Sequence, residues 1–192
     1  MIKKFILSIQ ILFYFLLLIN ISFADIQKDI VNKITATKTL QFDFSQQIAE
    51  EMEYGHCFIK YPLLMKCNYE DNKQKSVISN GSVVAVIKKK YKKIYYYPIK
   101  TTPLSIILEK TKILKLVRSN PPVEINSNEI IFQLVDKKSN IINIYFDKKT
   151  LDLKGWKTKD NYSNDVSFTI SNLEANKIIQ DSFFMIPKEK DL

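Results

Sequence analysis

Gly55-His56-Cys57-Phe58-Ile59-Lys60-Tyr61-Pro62-Leu63-Leu64-Met65-Lys66-Cys67-Asn68-Tyr69 reads as two strands folded back on each other about a proline. Proline cannot donate to a strand ladder, so Pro62 belongs at the turn. Cys57 stands five residues before it and Cys67 five after. With Tyr61-Pro62-Leu63 as a short turn, an antiparallel hairpin sets Cys57 opposite Cys67 on one face. Two outcomes follow from that spacing. In an oxidising compartment the pair forms a cross-strand disulfide, which stabilises a loop of about ten residues by roughly 2.5–3 kcal/mol. With the register offset by one residue the two remain buried free thiols. The hairpin favours the disulfide.

The same two-residue period extends to both sides. Leu40, Phe42 and Phe44 alternate with Gln41, Asp43 and Ser45, a strand with one apolar face. Ser76–Ser79 and Ser82–Ile87 are joined at Asn80-Gly81, the strongest short hairpin signal in the chain. Ile94–Tyr97 is another strand, stopped by Pro98. Further strands are predicted over Glu129–Asp136, Ile141–Phe146, Leu151–Thr158 and Val166–Leu173, and the tail from Phe183 to Pro187 is a short apolar segment. Two stretches change period. Ile26, Ile30, Val31 and Ile34 recur at helical spacing within Asp25–Thr37. In Thr101–Val117, Pro103 suits a first helical turn and Leu104, Ile107 and Leu108 mark an apolar face. The fold expected is mainly β (α+β): an antiparallel sheet with a helix before it and another inserted as a cover.

Residues 1–24 read as a cleaved leader. Lys3 and Lys4 precede an apolar run from Phe5 to Ile21, and Ser22-Phe23-Ala24 places small residues at a signal-peptidase site. An uncleaved anchor is the competing reading, because the run nears the roughly 20 residues a spanning helix needs. No cysteine lies near the cleavage site, so a lipidated mature terminus is not expected. Residues 25–192 then form one domain of ordinary size. The formal net charge of +9 falls to +7 once Lys3 and Lys4 are gone. Nucleic acid is not an expected partner for an exported chain.

Several chemistries are excluded. The three glycines, Gly55, Gly81 and Gly155, are isolated, and a phosphate-cradling loop needs several close together. His56 is the single histidine. Its neighbour Cys57 points to the opposite face of a strand, so the two make neither a nucleophile–base pair nor half of a zinc site. The carboxylates are scattered. No catalytic residue, metal or cofactor is expected, and the chain reads as a binding protein.

Taken in order, further segments carry a resemblance. Phe44-Ser45-Gln46, Gly55–Pro62, Ser79-Asn80-Gly81, Thr102-Pro103-Leu104 with Ile106-Ile107-Leu108, Leu153-Lys154-Gly155-Trp156, and Phe184-Met185-Ile186-Pro187 follow one another through the chain. Their order and spacing resemble the outer-membrane lipoprotein carrier family LolA. The resemblance implies an incomplete antiparallel β-barrel (half-barrel) whose apolar concave face is covered by an N-terminal helix and an inserted lid helix. It implies a monomeric periplasmic chaperone for the acyl chains of lipoproteins. These would come from an inner-membrane ABC transporter of the LolCDE type and pass to an outer-membrane receptor of the LolB type. A LolB-like receptor, or a periplasmic lipid- or lipoprotein-sensing domain, is the alternative on the same fold. Alternation and resemblance together place Leu40, Phe42, Phe44, Ile59, Met65 and Tyr69 on the lipid-binding wall, with Leu104 and Ile107 from the lid.

Two departures from the family stand out. Its lid-latching arginine precedes the proline; here that residue is Tyr61, whose phenol can still bond a lid carbonyl as an uncharged latch. Its tryptophan after the Ser-Asp-Gly turn is Ala85 here, so a different cavity shape is expected. The run Lys88-Lys89-Lys90-Tyr91-Lys92-Lys93 is the one cluster of charge. It reads as a solvated loop, or else as a surface for anionic headgroups or an acidic partner.

Overall fold

The alternation that begins at Leu40 runs on to Ile48, and the sheet is built outward from that strand on both sides. The computed structural model describes residues 25–135, 141–160 and 163–192. The leader read over residues 1–24 lies outside them. Helix α1 (residues 25–36) precedes β1 (Thr39–Ile48), β2 (Glu51–Lys60), β3 (Leu64–Tyr69), β4 (Lys75–Asn80), β5 (Val83–Lys88) and β6 (Lys93–Pro98). Next come α2 (Leu104–Ile107) and α3 (Lys110–Ser119). The chain then forms β7 (Glu124–Ile125), β8 (Glu129–Val135), β9 (Ile141–Asp147), β10 (Leu153–Lys159) and β11 (Asp165–Ala175).

All eleven strands join one antiparallel sheet in the order β6-β5-β4-β3-β2-β1-β11-β10-β9-β8-β7. Its end strands, β6 and β7, do not pair, so the sheet stays an open half-barrel. Strand period sorts the side chains by face. One face carries Phe42, Phe44, Cys57, Ile59, Met65, Ile144, Trp156 and Phe168, in a single core with Ile30 of α1 and the apolar residues of α2 and α3. The opposite face has a smaller core, Ile78, Ala85, Ile87 and Ile94, covered by Ile186 and Leu192 of the tail.

Local chemistry fixes the joints. Asn80 Oδ1 accepts the N–H groups of Ser82 and Val83 at 3.0 and 3.1 Å, and Gly81 supplies the positive φ of 96° that the tight β4–β5 turn requires. The β2–β3 register pairs Cys57 with Cys67, and the two are disulfide-bonded with Cα atoms 4.0 Å apart. That decides between the disulfide and the free thiols. Replacing both cysteines by alanine is expected to lower unfolding stability by about 2.5–3 kcal/mol, read as a shift of the denaturant midpoint at constant slope; an unshifted midpoint would contradict it.

Three expectations are corrected. The inserted helix is two helices, because Glu109 is extended (φ −99°, ψ 90°) and the Leu108 carbonyl instead accepts the N–H of Leu63 at 2.9 Å. The strand before Gly55 begins at Glu51, pairing with β1 across a turn where Ala49 takes φ 51°. Ala85 lies opposite Ile78 in the outer core, so it does not shape the inner face.

Candidate functional site

The inner face is an aromatic floor under a helical cover. Tyr69, Phe44, Phe168 and Trp156 form a continuous row across β3, β1, β11 and β10. Their ring centroids are separated by 4.9, 4.8 and 4.1 Å, edge-on at Tyr69 and stacked at the other two contacts. The row bridges β2 because Gly55 leaves its place to the Phe44 ring: a Cβ there would lie 2.8 Å from Phe44 Cζ and 2.1 Å from the Asn68 carbonyl oxygen. Leu40, Phe42, Phe44, Ile59 and Met65 are buried on this face, and Ile107 of α2 is buried against them. Leu104 and Tyr69 pack at the margin, partly exposed.

At Tyr69 the face turns polar. The phenol donates to Gln46 Oε1 at 2.6 Å, and Lys75 Nζ lies over the ring, 3.7 Å from its centroid, while pairing with Glu53. Burial, with the Glu53 and Asp71 charges beside it, pushes the Tyr69 phenol well above its ordinary range and keeps it neutral. Glu53 Oε2 is buried without a hydrogen-bond partner among the described residues. This network closes the apolar floor at the end away from the helices.

Polar groups also hold the cover at its two ends. Gln27 of α1 donates from Nε2 to the carbonyls of Val117 and Asn120 at 2.8 and 2.7 Å. Lys110, at the start of α3, donates from Nζ to the carbonyls of Thr35 and Thr37 at 3.1 and 2.9 Å. Helix C-termini carry orphan carbonyls and a partial negative charge, so an amide and an ammonium suit them. Each helix therefore caps the end of the other. Neither Gln27 nor Lys110 shows in the sequence reading: their partners lie some 90 and 75 residues away, and no local pattern marks them.

Tyr61 sits at the same junction. Its ring lines a small cavity of about 30 Å³ together with Ile34, Leu40, Ile113 and Phe146, and Lys110 Nζ stands 5.8 Å from its centroid. The backbone N–H of Tyr61 donates to the Lys38 carbonyl at 3.0 Å. Its phenol oxygen makes no hydrogen bond among the described residues. Burial raises the phenol pKa and keeps it neutral. The hydrogen bond that ties the lid to this hairpin comes from Leu63 N–H instead.

Beneath α1 and α3 the inner face is tightly filled. Pockets for small molecules occupy about 300–1,000 Å³, and the cavity beneath α1 and α3 is a tenth of that or less. Ile106, Ile107, Leu108, Ile113, Leu116 and Val117 of the cover are buried in the same core as the sheet face. Exposing six such side chains to water costs roughly 9–18 kcal/mol.

On the outer face His56 and Asp43 stand together. His56 Nδ1 lies 2.6 Å from Asp43 Oδ1, and Asn172 donates to Asp43 Oδ2 at 2.8 Å. These hydrogen bonds, Asn172 first, hold the Asp43 carboxyl below its ordinary range. His56 thus serves a surface pair on the face opposite Cys57. Among the described residues no group of His, Cys, Asp and Glu side chains is placed to hold a metal ion.

An open antiparallel sheet whose apolar face is roofed by helices defines a binding half-barrel. The family model "Outer membrane lipoprotein carrier protein LolA" matches residues 35–187, and the chain belongs to that family, which is one of carriers and not of enzymes. Three solved structures are similar at low identity. A LolA superfamily protein of Nitrosomonas europaea is 8% identical, over 83% of this chain and 97% of that one, with TM-score 0.46. Mycobacterium tuberculosis lipoprotein LppX is 12% identical, over 80% and 96%, with TM-score 0.45. The Pseudomonas aeruginosa MucA/MucB complex matches at 9% identity, over 86% of this chain and 62% of that one, with TM-score 0.45. A comparison with curated proteins finds no match. No helix among the described residues is long and apolar enough to cross a membrane.

Proposed function

We propose that this chain is a periplasmic carrier that takes the acyl chains of lipoproteins leaving the inner membrane and delivers them to the outer membrane. The observation that carries this reading is a continuous apolar face beneath a separate helical cover, whose buried side chains an acyl chain would replace. In this reading α2 and α3 swing aside, and the acyl chains lie along Leu40, Phe42, Phe44, Ile59 and Met65, with Tyr69 at the polar margin. Leu104 and Ile107 then close on them from above. A transporter of the LolCDE type loads the site and a receptor of the LolB type empties it; the carrier works as a monomer and needs no cofactor.

Tyr61 replaces the family's charged latch by packing. Its ring wedges under the α1–α3 junction, and its hydroxyl is dispensable. Tyr61→Phe is therefore expected to leave acyl-probe affinity and release unchanged. Tyr61→Ala is expected to speed release severalfold through a cavity costing about 2–4 kcal/mol. Equal slowing or weakening by both variants would contradict the packing role.

The test of the function is direct. Protein purified from the periplasm should carry triacylated lipoproteins identifiable by mass spectrometry, and adding it to spheroplasts should release lipoproteins into solution. Folded protein that does neither would refute the reading. Retention of lipoproteins without release would favour the receptor.

A further inference from the structure

The β5–β6 corner is the one strongly charged surface that the lid and the inner floor leave unused. The connection between these strands is a single 3-10 turn over Lys89–Tyr91, with Lys92 in the left-handed region at φ 50°. Lys89, Lys90, Lys92 and Lys93 are exposed, and none of them forms an ion pair among the described residues. Lys88 lies 5.6 Å from the ring centroid of Tyr95. The acids around it are Glu189, whose Oε1 accepts the Ile94 N–H at 3.0 Å, and Glu70 and Asp71 on the β3–β4 turn, whose backbone accepts from Lys89 and Lys90 through Gln74 and Lys73. Lys73 beside the first pair and Lys188 and Lys190 on either side of Glu189 offset these three acids, so the five lysines from Lys88 to Lys93 leave the corner strongly positive.

Tyrosines continue the corner along the sheet edge. Tyr91, Tyr95, Tyr96 and Tyr97 are 55%, 46%, 54% and 47% exposed. The β5–β6 register puts Tyr95 opposite Val86 and Tyr97 opposite Val84, so both lie in the rows of the inner face, whereas Tyr96 faces outward beside Ala85. The edge is therefore wetted by phenols on both sides. It is also a poor template for strand addition. Glu189 Oε1 accepts the Ile94 N–H at 3.0 Å, and Pro98, two pairs along the same outward row, has no N–H to offer. An added strand would find only the Tyr96 N–H between them, and the exposed tyrosines here are interleaved with lysines rather than forming a flat apolar face. A headgroup layer needs neither, because it envelops an edge from both sides. Lysines attract anionic lipid and tyrosines settle at the boundary between headgroups and acyl chains.

We infer that the β5–β6 edge docks on an anionic lipid surface, and that acyl chains cross between membrane and inner face over Tyr95 and Tyr97. The second part rests on the carrier reading; the first does not. From the surface, Tyr95 and Tyr97 lead to Val86 and Val84, and Val84 already belongs to the inner core. Docking at this edge orients the open side of the half-barrel toward the lipid it exchanges.

The experiment is cosedimentation of the exported protein with vesicles of phosphatidylglycerol mixed with phosphatidylcholine, and with phosphatidylcholine alone. Wild-type protein is expected to bind the anionic vesicles and to lose them as salt is raised. The variant K89Q/K90Q/K92Q/K93Q should bind at least a hundredfold more weakly, at about fivefold per lysine. Its uptake of a fluorescent acyl probe from solution should be unchanged, since these side chains touch neither floor nor lid. Tyr95→Ser with Tyr97→Ser should slow acyl transfer from vesicle to protein while leaving lysine-dependent docking in place. Unaltered vesicle binding by the lysine variant would overturn the inference. So would tighter binding to poly-glutamate than to anionic vesicles, which would assign the corner to an acidic protein. Failure of the wild type to take up the probe would instead overturn the carrier reading, with vesicle docking scored separately.

Discussion

Tethering α3 to α1 is expected to abolish acyl uptake. Cysteines placed at Gln27 and Asn120 and joined by a short bis-maleimide would hold the two helices where Gln27 Nε2 already reaches the Asn120 carbonyl. Cys57 and Cys67 are bonded to each other, so the added thiols react alone. With the cover fixed, the space beneath it is about 30 Å³, too small for one acyl chain. A linker carrying a vicinal diol should restore uptake on periodate cleavage, which leaves the Cys57–Cys67 bond intact. The converse variant removes the clasp. Gln27→Ala with Lys110→Ala deletes four bonds to helix-end carbonyls, about 2 kcal/mol after allowance for solvent, or some 30-fold in the opening equilibrium. Because apparent affinity is reduced by the fraction of protein that is closed, the double variant should bind an acyl probe more tightly. Uptake by the tethered protein, or wild-type affinity in the double variant, would show that the cover is not the gate.

Gly55→Ala is expected to destabilise the protein by about 3 kcal/mol, at the upper end for overpacking. The added methyl would sit 2.1 Å from the Asn68 carbonyl oxygen and 2.8 Å from Phe44 Cζ. One contact is strand backbone and the other is the central ring of the aromatic row, so neither yields cheaply. Gly81→Ala provides the control. Its nearest atom, Leu64 Cδ2, would be 3.9 Å away, leaving only the strain of a φ of 96°, about 1–2 kcal/mol. Denaturant midpoints for the two variants separate packing from backbone strain. Equal losses would mean that Phe44 does not depend on the space at Gly55. If Phe44 is displaced, Gly55→Ala should also weaken acyl binding, which Gly81→Ala should not.

Much of this was legible because the signals are local. Pro62 and the symmetric cysteines located the β2–β3 hairpin and its register. Asn80-Gly81 marked the next turn, and the alternation at Leu40, Phe42 and Phe44 identified the inner face. The family likeness then supplied the cover. What escaped depends on distant atoms. The break between α2 and α3 is set by Leu63, far from Glu109 in sequence, and periodicity cannot register it. The clasp needs two helices brought together, so Gln27 and Lys110 look like ordinary surface residues on their own segments. Ala85 was misassigned because strand faces flip with a single residue; matching its position to a tryptophan said nothing of the side it occupies. Tyr61 packs at the α1–α3 junction, where the sequence alone does not tell a hydrogen-bonding role from a packing one.

The central claim is that acyl chains lie on the inner face beneath α2 and α3. A triacylated lipopeptide with a diazirine in one acyl chain, photolysed on the protein and mapped by mass spectrometry, tests it most directly. Adducts are expected on Phe42, Phe44, Ile59, Met65 and the lid residues Leu104 and Ile107, and should disappear in the tethered protein. Labelling at saturation that falls on the outer face around Ile78, Ile87 and Ile186, or that persists with the lid tethered, would contradict it.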